Sequence, residues 1–150
     1  MQKFAMTLTF LAAAASAAAF AAAGPMQTVD QFVSAFNAGN LKAAAALCTD
    51  RSVVIDDFPP HAWQGGNGCA SWARDFLAYS ANNEATDQIV TLGKPSHVDV
   101  TADRAYVVVP ASYAYKDHGK PVKQIGSIFT VALQRVAGEW RIAGFAWADH

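Results

Sequence analysis

Phe36-Asn37-Ala38-Gly39-Asn40-Leu41 is the corner on which the reading of this chain turns. Upstream of it, Val29, Phe32, Val33 and Phe36 recur at i, i+3, i+4 and i+7, the period of a helix with one apolar face. Asn37 to Asn40 interrupts that period. Asn40 is then placed to cap a second helix, Leu41 to Cys48, whose Leu41, Ala44, Ala45 and Cys48 share a face.

Downstream, Ser52 to Phe58 carries β-branched Val53, Val54 and Ile55 and stops at Pro59-Pro60, as one short strand would. His61 to Asn67 reads as a loop. From Gly68, the apolar Cys69, Trp72, Ala73, Phe76, Leu77 and Tyr79 predict a third helix to about Ser80. The second half changes period. Turn signals at Thr101-Ala102-Asp103, Asp117-His118-Gly119-Lys120 and Ala137-Gly138-Glu139 separate four strands: Asp87 to Val100, broken at Gly93-Lys94-Pro95, then Arg104 to Lys116, Val122 to Arg135 and Trp140 to Trp147. Short turns between consecutive strands make an antiparallel meander, and uneven alternation within them predicts a strongly bent sheet. Helices on one side of it give an α+β domain.

Upstream of the first helix, Lys3 is followed by an uncharged stretch to Ala23, and residues 1 to 23 hold eleven alanines. A short positive start, an apolar middle and small residues before Gly24-Pro25 read as a secretory signal peptide, leaving 24–150 as the mature domain. The competing reading is a membrane anchor, but alanine contributes little hydrophobicity and we take cleavage near Ala23 as the expectation. The mature chain is then expected in the periplasm or medium, with no membrane attachment.

Of the 150 residues, 53% are hydrophobic and 15% charged, which excludes a disordered polyelectrolyte. No run of four basic residues occurs, so the footprint of a nucleic-acid binder is missing. Export would let Cys48 and Cys69 persist as a disulfide closing a loop of about 20 residues, worth roughly 3 kcal/mol in the chain-entropy model. Two separate buried thiols are the other reading. The histidines His61, His97, His118 and His150 are too scattered for a metal site, and none is assigned.

The order helix, helix, strand, helix, then four strands, with the Asn37-Ala38-Gly39-Asn40 corner, Val54-Ile55-Asp56-Asp57, the Phe58-Pro59-Pro60-His61 exit and Gly138-Glu139-Trp140-Arg141-Ile142-Ala143-Gly144, resembles the nuclear transport factor 2-like superfamily, specifically its SnoaL-like members. The likeness covers about residues 27 to 148. It implies a cone-shaped, strongly curved antiparallel sheet with three helices from the N-terminal half packed on its concave face, and a pocket between them. The superfamily hosts cofactor-free enzymes and domains without chemistry alike. In its ketosteroid isomerase branch a carboxylate at the end of the first strand is the general base, a position that falls on Asp56. Of that branch's two oxyanion-hole donors, the helix-one tyrosine corresponds to Phe32 and the aspartic acid falls near Ile128 or Thr130. An enolate would lack its stabilising hydrogen bonds, so steroid isomerisation is disfavoured.

Asp56 reads either as a general base or polar anchor in an apolar cavity, where burial would raise its pKa, or as a structural strand-end carboxylate. Adjacent strand residues leave opposite faces, so only one of Asp56 and Asp57 is expected at the cavity. His61, after two prolines, is a candidate proton-transfer partner at the cavity mouth, against the plainer reading of a solvated loop histidine. Trp63, Trp72, Tyr113, Tyr115, Phe145 and Trp147 are candidates to line a pocket for a small apolar or aromatic molecule, with core packing as the alternative. Ala143 is expected to share its face with Phe145 and Trp147. Gly65-Gly66-Asn67-Gly68 reads as a turn rather than an anion site, lacking the residues of a P-loop. The expected function is an exported small-molecule-binding domain, as a binder or as an enzyme of unassigned reaction, with no cofactor. The alternative is a non-catalytic module whose sheet face pairs with a second copy as a homodimer.

Overall fold

The computed structural model describes residues 24–149, so the signal peptide reading lies outside the described residues. The chain runs α1 (Pro25–Asn37), α2 (Leu41–Ala45), β1 (Cys48–Ile55), β2 (Ala62–Trp63), α3 (Gly68–Asn82), β3 (Ala85–Leu92), β4 (His97–Thr101), β5 (Arg104–Asp117), β6 (Lys120–Val136) and β7 (Glu139–Ala148). The strands form one curved sheet in the order β2-β1-β7-β6-β5-β3, with β4 also paired to β5. Every pairing is antiparallel except β1 with β7, which is parallel. The expected α+β architecture is present.

The corner quoted above has a physical explanation that spacing alone does not supply. Asn40 accepts from the Ala43 amide and caps α2 as expected. Asn37 does more: its side-chain amide donates to the Val90 carbonyl and accepts from the Val90 amide, both at 2.8 Å. One side chain thus acts as a short piece of strand against the edge strand β3 and fixes the end of α1 over the sheet. Gly39, at φ +70°, turns the chain between the two helices.

Bulges contribute to the expected bend. Between Ala111 and Ser112 of β5 the partner register on β6 skips Gly126, which sits at φ +87°. On β7, Ala143 is skipped between Ile142 and Gly144. Each extra residue kinks its strand and increases the local twist. The second bulge overturns one expectation: alternation is reset at Ala143, so the buried Phe145 follows on from the buried Trp140 and Ile142 rather than from Ala143.

Other boundaries differ for similar non-local reasons. The second helix stops at Ala45, and Cys48 begins a strand because the Ile142 amide bonds to the Leu47 carbonyl, capturing the chain at the sheet. The first strand ends at Ile55 and not at Phe58. The strand predicted over Asp87 to Val100 divides, as its Gly93-Lys94-Pro95 break suggested, and the two pieces pair with successive parts of the long β5. On α3, Leu77 and Tyr79 are 55% and 43% exposed while Ser80 is buried, so its inward face runs Cys69, Trp72, Ala73, Phe76 and Ser80.

Between helices and sheet lies an aromatic core. Phe32 of α1 meets Phe145 edge-on at 5.2 Å between ring centres and approaches Trp72 and Phe129 at 6.0 Å. No helix of the described residues is long and apolar enough to cross a membrane.

Candidate functional site

The concave face of the sheet and the helices enclose a cavity of about 270 Å³. Its floor is aromatic, built from Phe32 and Phe36 of α1, Trp72 and Phe76 of α3, Phe129 of β6 and Phe145 of β7. Its polar lining includes Asp56, Asp57, Tyr79, Tyr113, Tyr115 and Asp117.

Asp56 follows the last residue of β1, where the chain leaves the sheet. Its amide bonds to the His61 carbonyl, and the His61 amide bonds to the Phe58 carbonyl, closing a tight turn through Pro59 and Pro60. The carboxylate then faces the cavity with two donors: the indole Nε1 of Trp72 at 2.7 Å to Oδ2 and the Asp57 amide at 2.7 Å to Oδ1. Burial pushes its pKa up to about 7, against the two hydrogen bonds, which favour the charged form; the neighbouring Asp57 carboxyl adds to the rise. A carboxyl of this kind is divided between acid and base near neutrality, the condition for moving a proton in either direction.

Asp57 also lines the cavity, against the expectation that only one of the two would. Opposite-face alternation is a property of extended strand, and β1 has already ended at Ile55. The abrupt stop at Pro59-Pro60 was the signal that the rule should not be carried this far.

Trp72, Tyr113, Phe145 and Trp147 all line the cavity, and Tyr115 does too. Trp63 does not: it is buried against Phe58, 4.8 Å between ring centres, and its indole N–H bonds to Asp75 at 2.9 Å. His61 does not either. Its ring is exposed on the outside of the turn, with Nδ1 3.3 Å from the backbone carbonyl of Asp56, so it cannot serve Asp56 as a proton partner in this geometry. Ile128 and Thr130 flank the residue that does face the cavity, Phe129, and no acid stands at either alignment of that position. The signal for Phe129 was present in the alternation Ser127, Phe129, Val131, Leu133, all of which are buried.

Tyr113 donates its hydroxyl to Gln88 Oε1, which also accepts from Ser80 at 3.4 Å. Burial pushes the phenol well above its ordinary range, so it stays protonated.

Behind the site, Cys48 and Cys69 are joined by a disulfide. It links the first residue of β1 to the first turn of α3, and Trp72 with Asp56 links the same two segments again further along. The Cys69 amide is satisfied by Ser52 Oγ and the Ala70 amide by the N-cap Asn67, so the glycine-rich turn has given its helix-start donors to the protein itself. No group of three His, Cys, Asp or Glu side chains suited to hold a metal occurs among the described residues.

A family model described as the SnoaL-like domain matches residues 26–144. No curated protein matches the chain in sequence. Among solved structures, a ketosteroid isomerase-like protein from Erwinia carotovora atroseptica is similar at 19% identity and a TM-score of 0.66, over 83% of this chain and 92% of that one. A putative dehydratase of the NTF2-like family from Streptomyces avermitilis is similar at 18% identity and a TM-score of 0.66, over 83% and 93%. A hexachlorocyclohexane dehydrochlorinase of type 2 reaches a TM-score of 0.69 at 9% identity, over 83% and 82%. At these identities the likeness is one of fold.

Proposed function

From the premise that this chain belongs to the SnoaL-like domain family, we propose that its cavity takes up a small, mainly apolar molecule and that Asp56 moves a proton to or from it without a cofactor. The observation that carries this reading is a carboxyl with a pKa near 7, held by Trp72 over an aromatic floor. The aromatic faces supply affinity through burial, and the few polar groups supply orientation. Two of the similar folds are named for eliminations, dehydration and dehydrochlorination, in which a proton leaves with a second group; such chemistry needs a base, and a carboxylate can serve as one. Steroid isomerisation is disfavoured, because the resemblance sets Phe32 at one oxyanion-donor position and Ile128 or Thr130 near the other, and none of these is a tyrosine or an acid.

The test is a screen of small apolar and aromatic compounds followed by tryptophan fluorescence, since Trp72 and Trp147 both line the cavity. For a compound that binds or turns over, Asp56→Asn is expected to lower affinity or rate ten- to a hundredfold, the equivalent of one charge-assisted hydrogen bond of ~1.5 to 3 kcal/mol. An unchanged response from Asp56→Asn would remove it from the chemistry. Binding of no compound at all would favour the non-catalytic module that pairs with its own copy.

Export belongs to the same proposal. The Lys3 to Ala23 pattern supports it, and a disulfide fits an oxidising compartment. A mature N-terminus near Gly24 in the periplasm or medium is expected, and intact Met1 on the major product in the native host would sink it.

A further inference from the structure

The charges around the cavity are all of one sign. Asp56, Asp57 and Asp117 line it, and no Lys, Arg or His among the described residues does. Asp117 is partly answered by His118, whose Nδ1 lies 2.7 Å away outside the lining. Asp56 and Asp57 have no basic partner among the described residues: the hydrogen bonds to Asp56 come from a neutral indole and a backbone amide. The lysine nearest along the adjoining strand, Lys116, is paired with Asp87.

Asp56 is half-buried beside an apolar cavity and Asp57 is exposed next to it, and with no counter-charge on either carboxyl a ligand that carries one would answer both. The aromatic groups beside them have the matching electrostatics. Tyr113 and Tyr115 stack at 5.0 Å between ring centres, and Tyr79 stands against Phe58 across the same rim. The face of each ring is negative and attracts a cation that has shed its water. A neutral ligand would bury the carboxyls without answering them, and an anion would be repelled.

We propose that the cavity's ligand is an organic cation: a compact molecule with an apolar or aromatic body and an ammonium-type charge seated between the Asp56–Asp57 pair and the rings of Tyr79, Tyr113 and Tyr115. This rests on the small-molecule reading of the same cavity and narrows its chemical class. The groups facing Asp56 are Asp57 on its own turn, Trp72 from α3 and, from β5, Tyr113; none of them is basic, so the bound cation also favours the ionised form of Asp56 and its binding releases a proton near neutrality.

The experiment compares three probes of one shape at pH 8: benzyltrimethylammonium, its neutral carbon isostere neopentylbenzene, and the anion phenylmethanesulfonate. Dissociation constants come from quenching of tryptophan fluorescence in the wild type, Asp56→Asn and Asp57→Asn, with circular dichroism to verify that each variant is folded. Benzyltrimethylammonium is expected to bind at least tenfold more tightly than neopentylbenzene, with the anion weakest. Either substitution should cut that preference to threefold or less. Equal or tighter binding of neopentylbenzene to the wild type would overturn the cation proposal and leave the apolar-pocket reading standing. Failure of all three probes to bind would overturn both.

Discussion

At the N-terminal end of α3, Gly68 is packed so closely on β1 that a β-carbon there would overlap the Ser52 carbonyl, while at the C-terminal end Leu77 and Tyr79 stand more than two-fifths exposed. The first end is locked three times over: by the Cys48–Cys69 bond, by the Cys69 amide on Ser52 Oγ, and by Trp72 on Asp56. The second is held by a long hydrogen bond from Ser80 to Gln88 and by exposed charges around His118. The same helix therefore gives a firmly held wall beside Asp56 and a less tightly packed rim at its other end. Precision in a site comes from the elements that cannot move, and access comes from those with few buried contacts.

The hardest way to break that contrast is Gly68→Ala. No flexible side chain can yield, since the clash is with backbone, and a loss of about 3 kcal/mol or more, or failure to fold, is expected in urea denaturation. Stability within experimental error of the wild type would show that α3 does not sit this close to β1. Next, replacing both Cys48 and Cys69 by serine should cost roughly 2 to 4 kcal/mol by releasing the loop in the unfolded chain. The same pair of substitutions should loosen the cavity's closed end, read as faster amide exchange over β1 and the first turns of α3 with the β5–β6 hairpin unchanged. Uniform acceleration would mean that the bridge stabilises the whole fold without regard to end.

Trp72→Phe sharpens the comparison at the site itself. Its indole bond favours the Asp56 carboxylate, so its loss should raise that pKa above about 7, by roughly one to two units for a bond of ~1.5 to 3 kcal/mol. Carboxyl-carbon NMR of Asp56 measures it, and a downward shift would contradict the geometry. The sign for stability follows. Because the folded-state pKa lies above the ordinary value of 3.8, the native state holds the proton more tightly, and stability should fall as pH rises from about 4 to 7 and level off beyond. Asp56→Asn should flatten that slope, a difference on the order of 2 kcal/mol after allowance for partial solvent contact. The smallest effect is expected at the rim: His118→Ala, at an exposed residue, should leave the melting temperature at pH 8 unchanged within error. A measurable loss there would mean that the open end is also structurally committed.

Local chemistry carried much of this in the sequence. The α1 period, the Asn40 cap and the turns between strands depend on neighbours within about one helical turn, and each was legible without tertiary knowledge. So was the single pair of cysteines. Asp56 at the strand's end came from the family resemblance, since the local pattern carried the strand to Phe58. What failed did so where a rule of local periodicity met a non-local contact. Cys48 was counted in a helix until β7 took the chain into the sheet, and Ala143 was assigned a face that a bulge reassigned. Trp63 and Trp72 look alike in sequence, and only the packing of α3 on β1 sends one to Asp75 and the other to Asp56. Asn37, which binds Val90 across 53 positions, could be read as a helix end and nothing more.

The sequence by itself determined the three helices, the long strands and their order, because hydrophobic period and turn chemistry act over a few residues, while the two-residue β2 read as loop. Only the tertiary structure decided which aromatic rings floor the cavity, that Asp57 joins Asp56 in it, and that His61 stays outside. Those outcomes depend on where the chain goes after β1 ends and on bulges in strands more than 50 residues further on, and side-chain direction there is set by the fold's closure rather than by any local rule.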